Sequence, residues 1–249
     1  MSTRKPIPQV ASETNVVHVT VIFSLIAACL SLSGCGGGSS SSPSGELASV
    51  DAPPGNDTET TNAKQSSLKF SGALQSKIKF KDSAGETAFS IKPQNDGAKL
   101  VDGQERELGR FNLKGSKLKI KDPSDKVLGY VTASAGKYKI KSADGKTDLW
   151  ELKRKPDGDW KLEDGQGQLL YRVKKRDYGL EIEDAAGMSL FKVKLKSGKT
   201  SLRDAAEQTV YSTRGEVSVA AVSCLGLTAI VDLEVRAGLL TMVTIGAGK

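Results

Sequence analysis

The residues able to do chemistry are few in kind and uneven in placement. The chain has 249 residues, one histidine and three cysteines. His18 and Cys29 sit near the N-terminus, so from residue 35 onward there is no imidazole and only Cys35 and Cys224 carry thiols. That excludes Ser-His-Asp and Cys-His nucleophilic catalysis and histidine-held zinc or iron for this part of the chain. Carboxylate and Ser-Lys chemistry remain open. Aspartates recur at Asp82, Asp102, Asp122, Asp164, Asp184 and Asp204, but none has the dense Asp-x-Asp-x-Asp-Gly spacing that converges six oxygens on calcium. Glu181 and Glu183 alternate with Leu180 and Ile182, the pattern of a solvated strand face rather than of a glycosidase pair. Trp150 and Trp160 read as core or cross-strand residues, and Cys224 as a small core side chain. We therefore expect no catalytic residues, no metal, no cofactor and no enzyme activity. What remains is charge. Lys77/Lys79/Lys81, Lys117/Lys119/Lys121, Lys137/Lys139/Lys141 and Lys192/Lys194/Lys196 each place three ammonium groups on one face of an alternating segment. The first three ladders are the candidate residues for attracting an anionic surface, at about 1 kcal/mol per lysine close to a membrane. The plainer alternative is a solubilising face that also blocks edge aggregation.

The N-terminus has the zones of an export signal. Arg4 and Lys5 precede an apolar stretch from Val16 to Leu32, which ends in Leu32-Ser33-Gly34-Cys35. This resembles the lipobox of bacterial lipoproteins, which implies cleavage before Cys35 and lipidation (diacylglycerol, then palmitate) of its thiol. Residues 1–34 are thus expected to be a signal peptide. Gly36, not Asp, follows the cysteine, which in a Gram-negative cell implies an outer-membrane destination. The expected partner is the membrane, through the N-terminal lipid, with lipopolysaccharide or anionic lipid as a further partner of the basic domain. No protein partner is legible, and nucleic acid is not expected at an exported location. Residues 1–34 contain Arg4, Lys5 and Glu13, so the remainder holds 34 basic and 28 acidic residues, a net charge of +6. With Cys35 lipidated, Cys224 has no intrachain partner, so no disulfide is expected.

Residues 35–66 are rich in Gly, Ser, Pro, Thr, Asn and Asp and too poor in apolar side chains to bury a core. As a flexible tether its 31 residues after the cysteine would span roughly 30 Å. From residue 67 to 249 the chain becomes a series of short alternating runs. Turn positions at 82, 102, 122, 142, 164, 184 and 204 recur every 20 to 22 residues, usually as Asp-x-x-Gly. Asp bonds the backbone ahead of it and Gly tolerates positive φ, so each period predicts a β-hairpin. Seven hairpins give up to fourteen strands, with the faintest alternation near 98–111.

The C-terminal segment chooses among a closed barrel, a propeller and a solenoid. Val217 to Val231 is apolar on every side and then meets Asp232, Glu234 and Arg236. Fifteen helical residues rise about 22 Å, short of a ~30 Å bilayer core, so we expect a buried helix at about 217–233. Ala237 to Ile245 is apolar again and reads as a final strand. The predicted fold is mainly β: a closed antiparallel barrel of about 12–14 strands, built from hairpin repeats around a buried apolar C-terminal helix. An array of the YD-repeat or MORN type has a comparable period but leaves that helix unexplained. The hairpins with Asp82–Gly85 and Asp184–Gly187 turns, strands such as Leu190-Phe191-Lys192-Val193 and the apolar segment ending at Asp232 resemble the tubby C-terminal-like superfamily, with its LURP-one-related proteins and phospholipid scramblases. The resemblance implies a barrel around a central helix. It places no calcium-site or lipid-binding residues on this chain. The functional expectation is a lipid-anchored, non-catalytic envelope protein that binds anionic lipid or another envelope component through its lysine-rich face. The alternative is a structural or protein-interaction module of the envelope.

Overall fold

Each hairpin period folds as its alternation requires. In a computed structural model, residues 74–246 are described; the signal-like segment, Cys35 and the Gly/Ser-rich stretch lie outside them. Fourteen strands follow in order: β1 (Ile78–Lys81), β2 (Thr87–Gln94), β3 (Gly97–Asp102), β4 (Glu107–Lys114), β5 (Lys117–Lys121), β6 (Val127–Ser134) and β7 (Lys137–Lys141). Then come β8 (Asp148–Arg154), β9 (Trp160–Asp164), β10 (Leu169–Arg176), β11 (Gly179–Asp184), β12 (Ser189–Lys196), β13 (Lys199–Asp204) and β14 (Thr209–Thr213). Every strand pairs antiparallel with its sequence neighbours, and β1 meets β14 through Lys81 and Ser212, closing the barrel. The faint 98–111 period is regular β3 and β4.

A meander of this kind puts alternate turns at opposite ends. At one end, the aspartate rim, a bulge in each hairpin leads into a turn held by its first side chain. Asp122 Oδ1 accepts from the Ser124 and Lys126 amides at 2.8 and 2.9 Å. Asp102 and Asp164 do the same at their own turns, and Ser142 Oγ takes the role at the seventh position. These aspartates cap turns. At the opposite rim most connections are two-residue turns, such as Gly115-Ser116 and Ser197-Gly198.

Inward residues form one core. Phe80, Phe89, Phe111, Leu118, Ile120, Ile140, Leu162, Ile182 and Leu202 expose no more than 1% of their surface. Each is worth roughly 1.5–3 kcal/mol in transfer from water. Fourteen strands enclose more space than side chains alone can fill. The C-terminal residues fill it, but not as one helix over 217–233. The chain enters at the opposite rim as α1 (Val219–Ser223), tightens into a 3-10 turn (Cys224–Gly226), and reverses over 227–232. It returns as α2 (Leu233–Gly246). The expected helix breaks because it must turn back inside the lumen, and because Gly226 lies against Ile182, Leu202 and Phe191, leaving no room for a Cβ. The stretch 237–245 is helix rather than a final strand. Closure of β1 on β14 leaves that segment no strand edge, so its amides bond within the helix instead. Lengths agree: eight strand residues at about 3.3 Å, tilted about 40°, stand about 20 Å tall, and fourteen helical residues rise about 21 Å.

α2 packs on β4–β7 and α1 on β11–β13. Tyr171 on β10 ties the reversal to the wall: its hydroxyl lies 3.1 Å from Thr228 Oγ1 and accepts from the Ala229 amide at 3.1 Å. Cys224 is wholly buried and free, and burial pushes its thiol pKa up.

Candidate functional site

The lysine ladders lie where alternation puts them, on the outer wall, but they do not form one stripe. β5 and β7 flank β6, so Lys117/Lys119/Lys121 and Lys137/Lys139/Lys141 share a region of wall. Lys77/Lys79/Lys81 on β1 lies four strands away from β5 and is not part of it.

Charge pairing divides three of the ladders along their length; in the β1 ladder the order is reversed, Lys77 at the far end meeting Glu105 while Lys81, next to Asp82, has no carboxylate partner among the described residues. Toward the aspartate rim the lysines of the other three are neutralised. Lys139 and Lys141 both bind Asp148, the former at 2.6 Å. Lys121 and Arg110 meet Asp125 at 3.3 and 3.2 Å; farther from that rim, Lys77 and Lys92 meet Glu105. Lys192 and Lys194 hold Glu207 at 2.7 and 2.6 Å, and their hydrogen bonds lower its carboxyl to a pKa of about 2. Hydrogen bonds from Lys139 and Lys141 likewise lower Asp148. Elsewhere on the wall Glu163 takes Lys153 and Lys161, and Glu183 takes Lys174 and Arg176.

Toward the opposite rim the pairing stops. Lys117 stands exposed with its ammonium 4.0 Å from the centre of the Tyr130 ring, and Lys119 is 5.9 Å from the same ring. Among the described residues neither has a carboxylate partner, nor does Lys137; on β1, Lys79 and Lys81 also lack one, although Lys81 stands at the aspartate rim, where it donates to the Gly85 carbonyl at 2.9 Å. Lys117 and Lys137 have company that the ladder pattern misses. Lys114, Lys155, Lys175, Lys196 and Lys199 are exposed beside the turns of the same rim, and none forms an ion pair among the described residues. The carboxylates at this rim are Asp96, Asp157, Asp159, Asp177 and Glu216. Asp96 accepts from Asn112 and Asp159 from the Lys175 amide, each at a neutral hydrogen-bond donor. The barrel is thus polarised along its axis, with acidic turns at one rim and seven unpaired lysines at the other. The sequence signal for the rim was a lysine immediately before or after three of the five two-residue turns, as in Lys114-Gly115-Ser116-Lys117 and Lys196-Ser197-Gly198-Lys199.

Unpaired ammonium groups of this kind attract phosphate and carboxylate groups by point charge. Cys35, the expected lipidation site, lies outside the described residues, and no helix among those described is long and apolar enough to cross a membrane.

The molecule is of the class of closed antiparallel barrels with a helical hairpin in the lumen. The sequence matches no known family and no curated protein. Among solved structures, an X-ray structure of a protein from Arabidopsis thaliana is similar over 66% of this chain and 95% of that one, at 12% identity and a TM-score of 0.33.

Proposed function

We propose that this chain is a lipid-anchored, non-catalytic protein of the bacterial envelope, which presents the lysine rim of its barrel to an anionic lipid surface. The carrying observation is the axial polarity of this part of the wall: Lys114, Lys117 and Lys137 are exposed and unpaired, while Lys121, Lys139 and Lys141, nearer the aspartate rim on β5 and β7, are held by carboxylates. The lipobox-like Leu32-Ser33-Gly34-Cys35 supports an anchor. A tether of roughly 30 Å would keep the rim near headgroups at high effective concentration, so weak contacts add up. Kinship with tubby-like proteins is part of this reading, supported by a barrel wrapped around C-terminal helices. Fourteen strands in place of about twelve is the departure.

The test is co-sedimentation of the full chain with phosphatidylglycerol and with phosphatidylcholine vesicles. Reversing Lys114, Lys117 and Lys137 to Glu removes about 3 kcal/mol of attraction, roughly a hundredfold in affinity for the anionic vesicles. Reversing Lys139 and Lys141 should cost far less. Equal losses from the two sets, or equal binding to both vesicles by the parent, would refute the rim as the contact. Acyl-chain incorporation that survives Cys35→Ser would refute the anchor.

A second reading is an envelope module engaged by a protein partner, with charge serving only solubility. The paired lysines of the aspartate half favour it, since a solvated wall has that pattern. In-cell crosslinking to one defined protein, with no vesicle binding, is the outcome it requires.

A further inference from the structure

Between the wall covered by α1 and the wall covered by α2, strands β8–β10 face empty space at the lysine rim. The cavity measures about 810 Å³, within the range of roughly 300–1,000 Å³ typical of small-molecule sites. Its floor and sides are apolar: Leu180, Val219, Ala220, Val243 and Ile245, with the rings of Tyr138 and Trp160 6.0 Å apart. Leu195, on the inward face of β12, stays 55% exposed at the edge, an apolar side chain facing the opening.

The polar groups around this space are mostly donors. Arg154 shares the inward face of β8 with buried Leu152 and pairs across the ladder with Trp160. Lys175 shares the inward face of β10 with buried Val173 and pairs with Leu180. The guanidinium of Arg154 and the ammonium of Lys175 have no ion-pair partner among the described residues. The Tyr138 hydroxyl and the Trp160 indole N–H have no hydrogen-bond partner there. Tyr138 is 7% exposed, and burial pushes its pKa up to about 12, so it stays a neutral donor. The third cation of the lining, Arg176, is already engaged by Glu181 and Glu183, and the lining's single carboxylate is Asp177. The Tyr138 hydroxyl reaches the open space of the cavity and is free to donate to an incoming acceptor.

We infer that this mouth binds one single-chain anionic amphiphile, its carboxylate or phosphate head between Arg154, Lys175 and Tyr138 and its alkyl tail between the start of α1 and the end of α2. An apolar slot favours the tail. Two unpaired cations against the single carboxylate of Asp177 favour an anionic head over a neutral one. A free anion without a tail leaves the slot unfilled and gains only the exposed charges. The site shares Lys175 with the lysine rim but not Lys114, Lys117 or Lys137, the lysines that test the membrane contact, so either can fail without the other.

The test is calorimetric titration of the full chain carrying Cys35→Ser, so that no acyl group of its own competes. The probes are dodecanoate and dodecyl phosphate, with dodecyl maltoside as the uncharged tail and inorganic phosphate as the tailless head, all below micellar concentration. Dodecanoate or dodecyl phosphate, whichever source the head comes from, should bind one per chain. Dodecyl maltoside should bind at least tenfold more weakly and inorganic phosphate at least a hundredfold more weakly. Arg154→Glu with Lys175→Glu should cost tenfold or more. Val219→Trp, which fills the slot, should do the same with the charges intact, in chains whose unfolding transitions match the parent. Lys117→Glu with Lys137→Glu should change the affinity less than twofold. Equal binding of the maltoside, many ligands per chain, or dodecanoate binding that survives both mouth variants overturns the proposal.

Discussion

The placement of α2 inside the barrel makes one substitution change sign. Gly238 lies mid-helix, and a Cβ there would sit 2.5 Å from Ile120 Cδ1 and 2.9 Å from Ile120 Cγ1 on β5. On a solvated helix Gly→Ala stabilises by about 0.5–1 kcal/mol. Here the added methyl meets a residue with no exposed surface, and overpacking of that kind costs about 1–3 kcal/mol. Gly238→Ala should therefore lower stability by about 1–2 kcal/mol. Ile120→Val alone should cost about 0.5–1.5 kcal/mol, as a lost methyl does in a packed core. Together the two should cost less than their sum by about 1–2 kcal/mol, because valine lacks the Cδ1 that the new methyl strikes. Urea unfolding of the four chains, with unchanged m-values, gives the cycle. A stabilising Gly238→Ala, or additivity within about 0.5 kcal/mol, would mean that α2 does not rest on β5 and that the lumen is filled in some other way.

Three further expectations follow from individual contacts. Glu207, held by Lys192 and Lys194, has a pKa of about 2 against an ordinary value of 4.5. Its stabilisation is full above about pH 4.5 and is lost as pH falls toward 2, so the deficit of Glu207→Gln at pH 7, read from urea midpoints, should close over that window and shrink in high salt. Tyr171→Phe removes the hydroxyl shared by Thr228 and the Ala229 amide and should cost about 1 kcal/mol in the same assay, with water reaching exposed Thr228. Cys224 is fully buried with its pKa raised, so a thiol reagent should modify it only at the rate of barrel opening, and faster reaction in native buffer would place it elsewhere.

Strand positions were legible because a half-buried strand leaves its period in the chain: Lys117-Leu118-Lys119-Ile120-Lys121 is β5 as it stands. The turns were legible from Asp and Gly. The C-terminal segment was legible only as buried. Apolarity on every side says that a segment is surrounded, but a helix of one span and two shorter pieces folded back on each other bury equally well. The height of the barrel decides between them, and that height is a property of the closed sheet. The second apolar run read as a strand because Val243, Thr244 and Ile245 are β-branched, a local preference that loses when no edge remains to pair with. The ladders were found, but which lysines are neutralised depends on carboxylates 4 to 28 residues away in sequence, placed by the turns and by the barrel's register.

Three turn residues set much of that charge map. The third residue after the capping aspartate adopts positive φ, and Gly85, Gly145, Gly167 and Gly187 suit it. Glu105, Asp125 and Glu207 occupy the same place at φ of 66°, 66° and 61°, where a side chain costs roughly 1–2 kcal/mol. Each of the three carboxylates reaches across the wall to two cations: Lys77 and Lys92, Arg110 and Lys121, Lys192 and Lys194. Their reach is uneven: Asp125 holds Arg110 and Lys121 close to the aspartate rim, whereas Glu105 and Glu207 extend to Lys92 and Lys194, well along β2 and β12. Lys117 and Lys137, at the far ends of β5 and β7, lie beyond the carboxylates that hold Lys121 and Lys141. The unpaired lysines of that rim thus follow from which turns carry a long-reaching carboxylate, because Asp96, Asp157, Asp159 and Asp177 in the turns beside them form no ion pair among the described residues.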